Sequence, residues 1–186
     1  MTTAIGQRLP GCNALALGRR QTRSLAMYDF RPAADCPKPE AYRQLLEAAE
    51  ALTAGEADGV ANMANIAALL WEFLPDMNWA GFYRMVDGEL VLGPFVGRPA
   101  CIRIPLGKGV CGVAAAEATT QLVADVHAFP GHIACDAVTN SELVVPVIRN
   151  GEVVAVIDLD SPSKARFDEE DRAGIERLAE LISERI

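Results

Sequence analysis

Between residues 39 and 53 the apolar positions Tyr42, Leu45, Leu46, Ala49 and Leu52 recur at helical spacing, and Gly55 ends the run. A second amphipathic helix is predicted from Val60, Met63, Ile66, Ala67, Leu70 and Phe73, stopped by Pro75. Each carries one apolar stripe, which must pack on a sheet or on the other helix. The period then changes to two. Residues 79–85 alternate, Asp87-Gly88 is a hairpin turn signal, and residues 89–95 return as a strand. Residues 100–104 and 121–126 read as two more strands. Between them Gly107-Lys108-Gly109-Val110-Cys111-Gly112 reads as a loop leading into a short alanine-rich helix over 113–117. After a long connection over 127–141, residues 142–148 and 152–159 form strands around Asn150-Gly151, the strongest hairpin signal in the chain. Asp168 is placed to cap a last helix, with Ile175, Leu178, Ala179 and Ile182 on one face. Helices, then about six mostly antiparallel strands, then a helix predict an α+β fold around a central sheet.

Size and charge narrow the function. At 186 residues the chain can bury a sizeable core. A net charge of −8 offers no footprint for phosphate backbones or anionic membranes, so neither nucleic acid nor a membrane surface is expected as partner. No apolar run approaches a bilayer span. Residues 1–26 differ from the rest, with Arg8, Arg19, Arg20 and Arg23 and no acid. Gly11, Cys12 and Asn13 interrupt any apolar stretch there, so a signal peptide fits poorly. The segment reads as a disordered or dispensable leader, with Met27 as an alternative start. Cys12, Cys36, Cys101, Cys111 and Cys135 are an odd number, which disfavours a secreted disulfide framework. A cytoplasmic setting and thiol chemistry are the expectation.

Three of the cysteines, Cys101, Cys111 and Cys135, fall at element ends or in loops of the strand-rich body. Buried cysteine is ordinarily a small hydrophobe. Their clustering near Gly, Pro and His argues for more, and Cys135 sits in the long loop Pro130-Gly131-His132-Ile133-Ala134-Cys135-Asp136. A nearby histidine lowers a thiol pKa, whereas Asp136 opposes it. His127, His132, Cys135 and Cys111 also allow a zinc reading, but no C-x2-C knuckle supports it, and no metal is expected. The glycines at 107–112 lack the P-loop pattern.

Three acids frame the second hairpin: Glu142, Asp158 and Asp160. Solvated strand ends usually explain such acids. Asp158, however, follows the unbroken apolar run Val153-Val154-Ala155-Val156-Ile157, which points it into a pocket, and Asp160 shares its face. A two-residue Asn150-Gly151 turn pairs Ser141 with Asp160 and Leu143 with Asp158, leaving Glu142 on the opposite face. Only a bulge or an irregular loop would bring Glu142 to the aspartates.

Several segments together resemble the free methionine-(R)-sulfoxide reductases of the GAF fold. They are Asn78-Trp79-Ala80-Gly81-Phe82-Tyr83, Leu92-Gly93-Pro94-Phe95, Pro99-Ala100-Cys101, the glycine loop around Cys111, and Asp125-Val126-His127-Ala128-Phe129-Pro130 through Asp136. Ser141-Glu142, Asp158-Leu159-Asp160-Ser161-Pro162 and Phe167-Asp168-Glu169-Glu170-Asp171 complete the resemblance, which spans residues 38–186 as one catalytic domain. It implies a GAF-like α+β fold: a central, mostly antiparallel six-stranded sheet with the N- and C-terminal helices on one side. It implies Cys135 as nucleophile, Cys101 as resolving thiol forming a redox disulfide with Cys135, and Cys111 as an auxiliary thiol. Glu142 and Asp160 would polarise and protonate the sulfoxide oxygen, Asp158 would hold the amino group, and Trp79 and Tyr83 would box the methyl end. The implied substrate is free methionine (R)-sulfoxide, recycling needs a thioredoxin-type dithiol, no cofactor is required, and a homodimer is compatible. Cys12 and Cys36 inherit no role.

Two other readings differ in class. A ligand-sensing GAF module would bind without turnover, and a zinc-holding structural protein would contain metal. Consumption of methionine sulfoxide separates the first from an enzyme, and elemental analysis separates the second.

Overall fold

The helical periodicity translates into α1 (Lys38–Thr53) and α2 (Gly59–Phe73). The computed structural model describes residues 31–32, 36–133 and 136–186, so the expected leader lies outside the described residues. Asp58 starts α2 by accepting from the Val60 and Ala61 amides, each at 2.9 Å. The strands are β1 (Trp79–Val86), β2 (Glu89–Gly97), β3 (Arg103–Ile104), β4 (Gln121–Val123), β5 (Ser141–Arg149) and β6 (Glu152–Ser161). Helix α3 (Gly109–Glu117) lies between β3 and β4, and α4 (Glu169–Ile182) closes the fold. The sheet runs β3-β2-β1-β6-β5-β4 with every pair antiparallel, which makes the α+β expectation correct. Among the described residues no helix is long and apolar enough to cross a membrane.

Two clusters sandwich the sheet. Ala80, Phe82, Leu143, Val145, Ile157 and Leu159 face α1, α2 and α4, while Trp79, Tyr83, Val144 and Val156 face α3. Strand β6 is apolar without alternation because both of its faces are covered. Asp168 caps α4 in a reciprocal box with Asp171. Asp171 is buried, and Lys38 Nζ (2.7 Å), Arg166 Nη1 (3.2 Å) and Tyr42 Oη (2.8 Å) converge on it, tying the start of α1 to α4.

Both predicted hairpin turns have positive φ at both central residues, Asp87 and Gly88 (51° and 84°) and Asn150 and Gly151 (53° and 84°), as a type I′ turn requires. Some boundaries differ from expectation. The third strand is only Arg103–Ile104 and the fourth stops at Val123. Helix α3 begins at Gly109 rather than 113, so the supposed glycine loop supplies its first turn. Two glycines conceal that turn, and it has no side-chain cap to announce it.

The consequential difference is in β5–β6. Next to the turn, Arg149 pairs with Glu152 and Ile148 with Val153, but Val147 then pairs with Ala155. Val154 is the extra residue of a bulge. Beyond it, Glu142 pairs with Asp160 and Val144 with Asp158. The uninterrupted register, with Glu142 on the opposite face, is therefore corrected: all three acids share the α3 face.

A second shift, between Gly81 and Tyr83 in the β1–β2 ladder, brings Phe95 across Gly81. A Cβ at Gly81 would lie 2.4 Å from Phe95 Cβ and 2.8 Å from the Pro94 carbonyl oxygen. Gly81→Ala is predicted to lower stability by about 1–3 kcal/mol, the usual cost of overpacking, as read from the denaturant midpoint. An unchanged midpoint would show that β2 yields freely at this crossing.

Candidate functional site

The α3 face of the sheet ends in a cleft enclosing ≈ 540 Å³ including its open mouth. Its floor is the acid ladder set by the Val154 bulge, and its roof is the first turn of α3. Close approach of that turn needs Gly112, whose hypothetical Cβ would lie 2.4 Å from the Pro105 carbonyl oxygen. The Gly107 amide donates to the Gly112 carbonyl at 2.7 Å, locking the turn before the helix onto its first residues. Cys111 is thereby lowered onto the acids. Its thiol is unoxidised and buried, and Sγ lies 3.8 Å from Glu142 Oε1.

Glu142 and Asp158 are each only 6% exposed, and Asp160 is half-buried beside them. Burial pushes the Glu142 carboxyl well above the carboxylate range, and the charges of Asp158 and Asp160 push it further. Burial raises Asp158 to about 6, against the opposing hydrogen bonds of Cys111 and Glu142. Asp160 is raised by burial, then by Asp158 and Asp136. The Cys111 thiol is pushed up by burial and by the same three acids, so it is a neutral thiol near neutral pH rather than a poised thiolate. Such a group can hold and deliver a proton where water is excluded.

The aromatic wall comes from β1 and β2. Trp79 stacks on Tyr83 (centroids 5.8 Å, 21°) and on Phe95 (5.2 Å, 12°), and Trp79 Nε1 donates to the Arg98 carbonyl at 3.1 Å. Trp79 and Tyr83, four positions apart on one face of β1, meet this way because Gly81 puts no side chain between them. Each stacked pair is worth about 0.5–1.5 kcal/mol beyond its area. Tyr83 is held protonated by burial and by Asp158.

Of the expected site residues, the structure gathers Trp79, Tyr83, Cys111, Glu142, Asp158 and Asp160 around this one cleft. Cys101 is half-buried, packs against the α3-side cluster and is disulfide-bonded. Cys135 lies outside the described residues, so its expected place in the loop stands as an expectation. His132 lines the cleft, with a buried Nδ1 that makes no hydrogen bond, and burial lowers its pKa. His127 is exposed and meets Asp125 at 3.0 Å. Among the described residues the histidines and Cys111 do not form a common ligand cluster.

Sequence reasoning missed the residues that fasten the loops. Asn78 Nδ2 donates to Thr139 Oγ1 at 2.9 Å and to Asp136 Oδ2 at 3.4 Å, and the Arg98 guanidinium lies 3.6 Å from Asp136. These contacts join the start of β1, the segment before Cys101 and the loop after Cys135. Phe95, the third ring, was hidden by the register shift that brings it over Gly81. Asn78, Phe95 and Asp136 all sit in the segments that carry the resemblance, and that was the one available signal.

The raised carboxyls make stability fall with pH. Between its ordinary value of 3.8 and about 6, Asp158 keeps a proton in the folded state that the unfolded chain has lost. Stability conferred by that proton is therefore full below 3.8 and lost as pH rises through about 6. Glu142 and Asp160, also raised, carry the decline higher. Asp158→Asn is predicted to be more stable than the parent near neutral pH, with the gain vanishing under acid conditions, in denaturant titrations at a series of pH values. A gain independent of pH would contradict this.

A profile of the GAF domain matches residues 39–186. The free methionine-R-sulfoxide reductase of Escherichia coli (strain K12) is 50% identical over 141 residues, covering 76% of this chain and 86% of its own length. The structure of free methionine-R-sulfoxide reductase from Neisseria meningitidis, in complex with its substrate, is 44% identical with a TM-score of 0.78, covering 82% of this chain and 92% of that one. A putative GAF sensor protein from Burkholderia vietnamiensis is 54% identical with a TM-score of 0.78, covering 81% and 96%. With its sheet order, its two-sided packing and a profile match over most of its length, the chain belongs to the GAF-domain family.

Proposed function

We propose that this chain reduces free L-methionine (R)-S-oxide to L-methionine by thiol chemistry in the cleft. The observation that carries the reading is the pairing of a stacked aromatic wall with buried carboxyls raised in pKa, one side suited to a methyl thioether and the other to a sulfoxide oxygen and an ammonium. The reductase names and substrate complex of relatives at 44–50% identity support it.

In this scheme Cys135 thiolate attacks the sulfoxide sulfur while a protonated carboxyl, Glu142 or Asp160, delivers a proton to the oxygen. As the sulfur–sulfur bond forms, the S–O bond breaks and the protonated oxygen leaves as hydroxide. Hydroxide then adds to Cys135 Sγ, the sulfur–sulfur bond breaks, and methionine leaves with Cys135 as a sulfenic acid. Cys101 thiol then condenses with the sulfenic acid, releasing water and forming a disulfide. A thioredoxin-type dithiol returns the two electrons. The disulfide at Cys101 and the unoxidised thiol at Cys111 support this division, with Cys111 auxiliary. Asp158 takes the ammonium, and Trp79 and Tyr83 enclose the methyl group. The reaction needs no cofactor, and it fits a cytoplasmic enzyme, as monomer or homodimer.

The test is incubation with the separated R and S epimers of free methionine sulfoxide and a dithiol. Methionine should form from the R epimer alone, and peptide-bound methionine sulfoxide should be a poor substrate because it lacks the ammonium. Binding without turnover would favour a sensing module instead. Glu142→Gln should lower kcat/KM by about 10²–10⁴-fold. Cys135→Ser should form no methionine, whereas Cys101→Ser should release a burst of about one methionine per site and then stall as a sulfenic acid that a dimedone-type probe labels. A burst in Cys135→Ser and none in Cys101→Ser would exchange the two roles.

A further inference from the structure

We propose that Cys111, Glu142 and Asp158 form a binding site for a thiophilic divalent cation of the zinc class on the floor of the cleft. One ligand atom from each of these three residues lies within 4.8 Å of the other two, and all three residues are buried. The 3.8 Å between Cys111 Sγ and Glu142 Oε1 is close to the separation of about 3.5 Å that Zn–S and Zn–O bonds of about 2.3 and 2.0 Å span in a tetrahedron. An independent observation points to a missing ligand. Asp158 is 94% shielded from solvent and lines the cleft, yet its Oδ1 accepts no hydrogen bond. A buried carboxylate oxygen without a partner is costly, and coordination would satisfy it.

The donor set selects the ion. One sulfur and two carboxylates are too few oxygens for calcium and too soft for magnesium, whereas zinc and cadmium take such mixed sets. Three protein ligands leave a fourth position facing the cleft mouth, open to water or a small ligand. On binding, the ion would displace the Cys111 proton to the solvent and place one compact positive charge among two like-charged carboxyls and the resulting thiolate. It would also occupy the place of the substrate's polar end. The site itself is independent of the reductase reading; the inhibition that would follow from filling it rests on that reading.

The experiment is a titration of the oxidised protein, with the Cys101 disulfide intact, with Cd²⁺ alone. One equivalent should bind and give the ultraviolet charge-transfer band of a cadmium–thiolate bond. The band should persist in a Cys12→Ser, Cys36→Ser double variant and disappear in Cys111→Ser. Asp158→Asn and Glu142→Gln should keep the band but bind Cd²⁺ on the order of tenfold or more weakly. These two carboxyl variants test the site even where Cys111→Ser fails to fold. No band in the parent, a band undiminished in Cys111→Ser, or affinities unchanged in both carboxyl variants would overturn the proposal. Zn²⁺ should also inhibit methionine sulfoxide reduction competitively. A protein that binds Cd²⁺ as described yet reduces no methionine sulfoxide would retain the site and lose the reductase reading.

Discussion

Burial of three carboxyls on one face of two paired strands is the constraint from which the chemistry of this molecule follows. An isolated buried carboxylate is expensive, and two or three together cannot all ionise. The fold creates this crowding through one residue. Val154 interrupts the β5–β6 ladder, and the one-step shift turns Glu142 from the helical core to the face of Asp158 and Asp160. Without the shift, Glu142 would lie among Leu143's and Ile157's neighbours under α1 and α4, where nothing acidic belongs. With it, the acids face α3 and the burden of burial becomes proton-holding capacity.

The rest of the site is arranged around that floor. Glycines at 81 and 112 let backbone and rings come close where any Cβ would collide. The first permits the Trp79–Tyr83–Phe95 stack, and the second lowers Cys111 onto the acids. The contacts of Asn78 and Arg98 with Asp136 and Thr139 fasten together segments adjacent in sequence to Cys101 and Cys135. A reaction needing two thiols in succession depends on such fastening, because disulfide formation requires the Cα atoms to approach to within about 7 Å.

Helix periods, the Asp87-Gly88 and Asn150-Gly151 turns, the Asp168 cap and the shared face of Asp158 and Asp160 were all legible in the sequence, because each rests on local chemistry. The bulge was not. Alternation reveals register only where one face is polar, and Val153-Val154-Ala155-Val156-Ile157 is apolar throughout because the sheet is covered on both sides. The sequence did show that Glu142 needed a bulge to join the aspartates, but not that one exists. The start of α3 at Gly109 was hidden for a related reason: glycines read as loop, while the close approach of Gly112 to the Pro105 carbonyl that seats this turn is a contact the sequence pattern does not announce. Apart from the resemblance, nothing in the sequence marks Phe95 and Asp136, because their places depend on register and loop closure, which are long-range properties.

Proton retention by the cleft acids underlies the chemistry of the cleft, and carbon NMR of carboxyl-labelled protein across a pH series measures it most directly. Glu142 and Asp158 should titrate as a coupled pair, with at least one proton retained near neutral pH and the apparent pKa of the pair well above the ordinary carboxyl range. Replacing Asp158 should bring Glu142 part of the way down, the share raised by burial remaining, whereas replacing Glu142 should leave Asp158 raised, because burial lifts it and the Glu142 hydrogen bond opposes the rise. Independent titration of both in the ordinary range would contradict the account and remove the proton source from the cleft.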